Sequence, residues 1–515
     1  MSTITQLICN KFGGIRQRNA VFSEDLITAQ DIQNVELYYT GTNGGVGIRT
    51  AKGNISINDS LENKEKIINI FESIQGEQTY FFVHTEDSTQ GKFYLYDMNY
   101  NNLILKKNGL SITGVSNGFD VRQGWSDLFF FTNGKEMFTI EIGAENEEGE
   151  LEEVVDMLLK DRDNRDVVGL GAALFNNRLF IFNDNILWYS VTSNIYDFST
   201  AESEWTTTAG YIECIKNITA IHEYLGALAI FYEDSSQLLS VSDGDFSLSD
   251  DSPGGCAGVH SLVFHDTDLF FYDHTKKSVF SFKQVVNGEK TLGQNVAVEI
   301  QEELSKIDIT KRNNIQAESV FLTDRNEIWF ILPTSDENYS TILIYDYLKG
   351  EWVKRKSQKI NAVKIINNVL YSAGNDGNIL EEYNSNTFNG QYIENYYNLS
   401  PFNLGAMNTL KIFVFPPRVS FDLPYSNTFY VKYVKNYNTF KKPKIKLIKS
   451  KLKNFLIWGV GLWGIDYWAS KATSIIGKFP NATFKVIEIS IYTVNASQTF
   501  SIKNIEFSKI KVKQV

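Results

Sequence analysis

Short, aromatic-rich strand pairs recur along this chain, centred near Tyr80, Leu128, Arg178, Gly226, Leu269, Ile328 and Val369. Successive pairs are unevenly spaced but cluster at roughly 40–50 residues, the period range of propeller blades. A four-stranded blade cannot bury both of its faces alone, so such blades must pack around a common axis. The spacing therefore predicts an all-β chain built on a β-propeller of six or seven blades.

The copies read alike. WSDLFFFTNGKEMFTI (Trp125 to Ile140), LFNNRLFIFNDNILWYS (Leu174 to Ser190) and VKIINNVLYSAGNDGNILEEY (Val363 to Tyr383) each place a turn between two strand-length apolar runs. Asn133-Gly134 and Asp376-Gly377 are turn pairs that tolerate positive φ. Several first strands are apolar on both faces, as a strand with neighbours above and below requires. The copies share no invariant Trp-Asp signature, so unrelated hairpins in two sandwiches are the competing architecture.

At 515 residues the chain has room for two or three domains. Phe (36) and Tyr (26) far outnumber Pro (8) and Met (5), which favours β-structure over a bundle or a disordered chain. Cys9, Cys214 and Cys256 have no metal spacing, and three scattered cysteines suit a reducing cytosol better than a disulfide scaffold. The opening MSTITQLICNKFGGIRQ lacks a basic segment followed by an apolar one, so no signal peptide is expected. The segment FLIWGVGLWGI (Phe455 to Ile465) is about half the ~20 residues a spanning helix needs. It reads as paired strands or a buried turn, and no membrane span is expected.

The net charge of −12 is unevenly distributed. From residue 390 onward there are 18 Lys and Arg against five Asp and Glu, a formal +13 that leaves −25 for the residues before it. The densest basic run is KKPKIKLIKSK, and Lys441, Lys442, Lys444, Lys446, Lys449, Lys451 and Lys453 form a candidate interface. Two readings stand: contact with a polyanion or an acidic protein surface, or a solvated strand face with Lys alternating against Ile and Leu. The acidic remainder would repel DNA, so a grip on nucleic acid by attraction is not expected.

These patterns divide the chain into an N-terminal arm (1–65), a propeller (66–389) and a basic, antiparallel β-sandwich-like domain (390–515). The alternation in LKIFVFPPRVSFDL and TFYVKYVKNYNTF supports the last. A helical insertion is expected near 143–166, where Leu151, Val154, Val155, Leu158 and Leu159 have helical spacing. A second helical piece is expected over 295–308. The glycines of GTNGGVG (Gly41 to Gly47) read as a strand-to-strand turn, since no Gly-Lys-Ser or Gly-Lys-Thr follows.

No catalytic constellation emerges. His84, His222, His260, His265 and His274 form neither a His-x-x-x-His nor a Cys-His zinc pattern. Asp161, Asp163 and Asp166 lack the Gly and closing Glu of a calcium loop. No Gly-x-Ser-x-Gly elbow occurs. Arg178, inside an apolar strand, is expected to bind backbone carbonyls or a carboxylate as a structural group. No enzyme activity, cofactor or metal is expected.

The stretch ALFNNRLFIFNDNILWYSVTSNIYDFST (Ala173 to Thr200) resembles a segment of tail proteins from short-tailed phages. The likeness lies in Asn177-Arg178-Leu179, then Trp188-Tyr189-Ser190, then Tyr196-Asp197-Phe198. That family is the packaged-DNA stabilisation protein, also called the tail hub or nozzle. The segments Leu225 to Val241, Gly254 to Asp273 and Ile328 to Arg355 are similar to its later hairpins, in the same order. GGIRQRNAVF and GGVGIRTAKG resemble its N-terminal arm, and NLGAMNTLKIF (Asn403 to Phe413) the strand that opens its last domain. The Lys-rich tail departs from the family. The resemblance implies a structural virion protein assembled in the host cytoplasm. It would form a ring, as a hexamer, in the neck below the portal and adaptor proteins and beside other tail proteins. The ring would close the head, retain DNA and act as the ejection conduit. Two alternatives stand beside it: a carbohydrate-binding or glycan-cleaving propeller, and a propeller scaffold for protein partners.

Overall fold

The computed structural model describes residues 2–4, 7–9, 11–17, 26–40, 45–58, 61, 65–99, 101–142, 152–201, 207–242, 245–282, 294–401, 409–421, 427–436, 443–450, 475–478, 482–507 and 510–514. They form two compact units. One comprises 55–342 and 357–382, the other 1–54, 343–356 and 383–515. The chain passes between units inside the strands Gly53–Ser56, Tyr339–Asp346, Glu351–Gln358 and Ile379–Ser385.

The first unit is a seven-bladed β-propeller. Blades one to six are antiparallel meanders in chain order, while blade seven takes its outermost strand, Gly53–Ser56, from before blade one. The first strands are Lys66–Gln75, Asn117–Gln123, Gly171–Phe175, Ile218–Tyr224, Leu262–His265, Gln316–Leu322 and Ile360–Ile366. The second strands are the most apolar: Phe129, Phe130 and Phe131 are fully buried in blade two, as are Leu228 to Tyr232 in blade four. A period-two chain with both faces apolar must have a sheet on each side, and adjacent blades supply it. Phe82 and Phe93 of blade one meet Phe129, Phe131 and Phe138 of blade two in one core. Their centroids lie 4.8 to 6.0 Å apart. Glycine admits one close approach: a Cβ on Gly171 would lie 1.8 Å from the Phe182 ring on the next strand.

The propeller closes by pairing distant parts of the chain. Ile57 N–H donates to the Ile379 carbonyl (2.9 Å) in blade seven. Asn58 Oδ1 accepts from Ile379 N (2.6 Å) and its Nδ2 donates to the Gly377 carbonyl (3.0 Å). Residues just before the first blade thus supply the outer edge of the last one.

The helix expected near 143–166 is not formed by the residues described there. Glu152–Asp156 is a strand paired with Met137–Ile142, the outermost of blade two. The unpaired edge of that blade offers backbone partners, and β-branched Val154 and Val155 fit a pleat better than a helix. Met157 and Leu159 are buried while Leu158 is exposed, so the helical spacing was strand alternation continued into a loop. Residues 143–151 lie outside the described residues. The second helical piece is short: a 3₁₀ turn at Val298–Ile300 runs into Gln301–Leu304.

The second unit joins the two ends of the chain. Its largest sheet runs, neighbour to neighbour, Lys444–Ser450, Asn427–Lys435, Ile487–Tyr492, Tyr396–Leu399, Leu26–Gln33, Lys11–Ile15, Val46–Thr50, Ser501–Phe507, Arg418–Phe421 and Ile475–Lys478. The C-terminal strands are antiparallel, but Lys11–Ile15 pairs parallel with Leu26–Gln33. The N-terminal segment is therefore built into the same body as the basic C-terminal strands. Phe429, Val431, Tyr433, Ile487, Ile489 and Ile491 alternate into its core. The 343–356 excursion is tied to it by Glu351, which accepts from Gly14 N (2.9 Å) and Arg16 Nη2 (2.7 Å), and by Lys354 on Asp31 (2.6 Å).

Candidate functional site

The first strands of all seven blades line one axial cavity of about 590 Å³. That volume lies within the range of small-molecule sites. Apolar side chains, including Phe119 and Phe264, line part of its wall. Into it project Glu72, Asp120, Glu223 and Glu318, with Lys364, His222 and His260.

Neighbouring blades fix these groups. Lys364 Nζ lies 3.2 Å from Glu318 Oε1, joining blades six and seven. Glu72 Oε1 accepts from Asn367 N (3.1 Å), joining blades seven and one. Asp120 Oδ2 accepts from Ile74 N (2.7 Å), joining blades one and two. The His222 ring stacks on Phe264 with centroids 6.0 Å apart, joining blades four and five.

Burial sets their charge states. It raises the Glu318 carboxyl against the pull of Lys364, and raises Asp120 against its hydrogen bonds. The field of Glu318 raises the Lys364 ammonium. Burial lowers both imidazoles, His260 to about 4, so both are neutral at pH 7. The site offers acidic groups with one paired cation, and it suits a cationic or hydroxyl-rich occupant.

Of this set, sequence reasoning named only His222 and His260, and it did not bring them together. The set's signal is a charge in the interior of a first strand among apolar residues: Glu72 in KIINIFESIQ, Glu318 in QAESVFL, Lys364 in INAVKII. Only the ring closure shows that these charges converge.

The other residues the sequence did single out are dispersed. His265 bonds Ser319 Oγ (2.7 Å) and Asn326 Oδ1 (2.6 Å). His274 bonds Glu233 (2.9 Å), and His84 Nδ1 bonds Ser116 Oγ (2.9 Å). Asp161 closes a turn by accepting from Asp163 N and Arg165 N, and it takes the Trp188 indole N–H at 3.1 Å. Arg178 is structural, as expected: Nη1 donates to the Ser190 and Thr208 carbonyls at 2.7 and 2.6 Å. Gly45 lies in the connection between Val35–Tyr39 and Val46–Thr50, and Gly47 sits within the second strand opposite Tyr38. Among the described residues no group of three or more His, Cys, Asp or Glu could hold a metal ion. Among them too, no helix is long and apolar enough to cross a membrane.

Of the candidate lysines, Lys444, Lys446 and Lys449 are exposed on the strand Lys444–Ser450. Lys446 Nζ donates to the Lys478 carbonyl (3.0 Å). Lys441, Lys442, Lys451 and Lys453 lie outside the described residues, as does the apolar segment 455–465.

No family model and no curated protein matches this chain. Among solved structures, Kluyveromyces lactis Hsv2 is 10% identical, with a TM-score of 0.29, over 54% of this chain and 82% of that one.

Proposed function

We propose that this chain is a structural protein of a tailed-phage virion, a hub that assembles as a ring in the neck below the portal and adaptor. The observation that carries the reading is how chain and charge divide. An acidic seven-bladed propeller is joined to a second β unit that holds the basic C-terminal strands and the N-terminal segment. Unlike charge on two bodies of one chain favours head-to-tail association, and such contacts build rings when the rotation closes. The segments resembling tail hubs support it further, since Ala173 to Thr200 falls in blade three and Leu225 to Val241 in blade four. An axial cavity of about 590 Å³ is of small-molecule size, so a DNA conduit would be the bore of the ring and not the propeller axis. Binding and positioning by such a ring require no catalytic group.

The test is electron microscopy of the purified protein, alone and mixed with its portal–adaptor complex. A closed ring capping that complex is expected. Single molecules that ignore the portal would overturn the reading.

One observation favours a second reading, a carbohydrate-binding propeller: carboxylates and the aromatic rings of Phe119 and Phe264 share the axial cavity. Titration calorimetry against host surface glycans decides it. Binding that Glu318→Gln abolishes would support a glycan site, and no heat with any glycan would remove it.

A further inference from the structure

The seven turns between first and second strands lie on one face of the propeller, around the mouth of the axial cavity. Cross-blade contacts at that end establish it: Gly76 N donates to Asp127 (3.3 Å), Asn367 N to Glu72 (3.1 Å), and His265 meets Ser319 (2.7 Å). Four blades set a large apolar side chain in the open there. Trp125 is 95% exposed, Phe321 68% and Leu225 65%, with Ile74 half-exposed. None of these contributes to the core, and such a group of exposed apolar side chains marks an interaction site. Leu225 also holds a left-handed backbone (φ 48°), where the equivalent turns of blades one and two place Gly76 and Gly124. A β-carbon there costs about 1 kcal/mol, and an exposed leucine recovers none of it in the free molecule.

The same face is acidic. Glu77, Asp266 and Asp324 stand exposed around the cavity carboxylates, of which Glu223 is itself exposed. Its cations are engaged, Arg122 with Asp127 (3.5 Å) and Lys364 with Glu318 (3.2 Å). The fitting partner therefore presents apolar side chains interleaved with ammonium groups.

The second unit carries such a surface. On Lys444–Ser450 the residues paired with Lys432, Tyr430 and Thr428 are Ile445, Leu447 and Lys449, so these share the sheet face opposite the buried Val431 and Phe429. Ile445 is 54% exposed, and Tyr430 stacks on Tyr492 (5.6 Å) beside it. The strand is flanked by the densest positive charge in the chain.

We propose that the turn face of the propeller docks a second copy of this chain through the outward face of Lys444–Ser450. This deepens the ring reading above by naming two different surfaces, and so a heterologous contact.

The test is sedimentation velocity on the full chain with two exposed-surface variants, Trp125→Ser/Phe321→Ser and Ile445→Ser/Lys449→Glu. Wild type is expected to self-associate, more weakly at high salt. Each variant alone should weaken association at least tenfold, and circular dichroism should show both folded. An equimolar mixture should give one-to-one dimers and nothing larger, because each partner retains one intact surface. The inference is overturned by wild type that stays monomeric, by variants that associate like wild type, or by a mixture that stays monomeric. The hub reading is judged separately. Rings that cap the portal but ignore both variants sink only this inference, whereas association through these surfaces without portal binding sinks only the hub.

Discussion

Lys364 in blade seven holds its ammonium 3.2 Å from the Glu318 carboxylate of blade six, inside the axial cavity. Burial raises Glu318, and the charge that opposes that rise is Lys364, helped by a backbone hydrogen bond from Ile365. Lys364→Met should therefore leave Glu318 without its cation. The lysine is itself partly exposed, so the expected cost is about 1 kcal/mol at pH 7. A carboxyl with a raised folded pKa gains stability as pH falls through that pKa towards its unfolded 4.5. The deficit should shrink on acidification, and Glu318→Gln/Lys364→Met should recover most of it at pH 7. Urea denaturation at pH 7 and pH 5 measures both. A deficit that does not vary with pH would mean the lysine acts by packing alone.

His84 is fully buried between blades one and two, and burial lowers its pKa from 6.5 to about 3. The folded state keeps it neutral while the unfolded state takes up a proton. Its contribution is complete above pH 6.5 and is lost progressively as pH falls from 6.5 towards the folded value. One pKa unit is about 1.4 kcal/mol, so about 2 kcal/mol should be lost by pH 5. His260, lowered to about 4, adds in the same direction. His84→Asn should flatten thermal stability between pH 7 and pH 5, whatever it costs at pH 7. An unchanged slope would show that other groups govern acid unfolding.

The repeat, its strand pairs and its turn residues were legible because each is local. Pairs such as Asn367-Asn368 announce their turns whatever surrounds them. What was not legible depends on closure. Val154 and Val155 satisfy helical spacing and strand alternation equally over so short a stretch, and only the open edge of Met137–Ile142 decides between them. The role of the N-terminal segment was hidden for the same reason, since Lys11–Ile15 reveals nothing locally of its partner Leu26–Gln33 or of Tyr397, whose hydroxyl donates to the Gly13 carbonyl (2.8 Å). The cavity charges were visible singly, as misfits in apolar strands, but their convergence is a property of the ring.

Arg178 supplies two bonds to carbonyls on separate loops and lies over the Tyr189 and Phe246 rings at 5.3 and 5.7 Å. Arg178→Met should cost about 2–3 kcal/mol, because both carbonyls lose a charged donor. Arg178→Lys should cost less, since a point ammonium can still serve one carbonyl. Chemical denaturation of the three proteins orders them, and equal losses for Met and Lys would show that ring stacking by the planar group dominates.

Asn58 is the clasp of the propeller. Its side chain accepts from Ile379 N and donates to the Gly377 carbonyl, and the backbone beside it bonds Ile379 again. These contacts are made between residues more than 300 positions apart, so they form only after the intervening blades are in place. Asn58→Ala removes both side-chain bonds and leaves the Ile379 amide without that acceptor, an expected loss of about 2 kcal/mol. A seam that closes last should also open first. Amide exchange in Ile379–Ser385 should therefore accelerate in the variant well before exchange in the blade-two strand Ser126–Thr132, whose partners are all nearby in sequence. If both strands accelerated equally, the variant would be unfolding globally and the clasp would not be a local device.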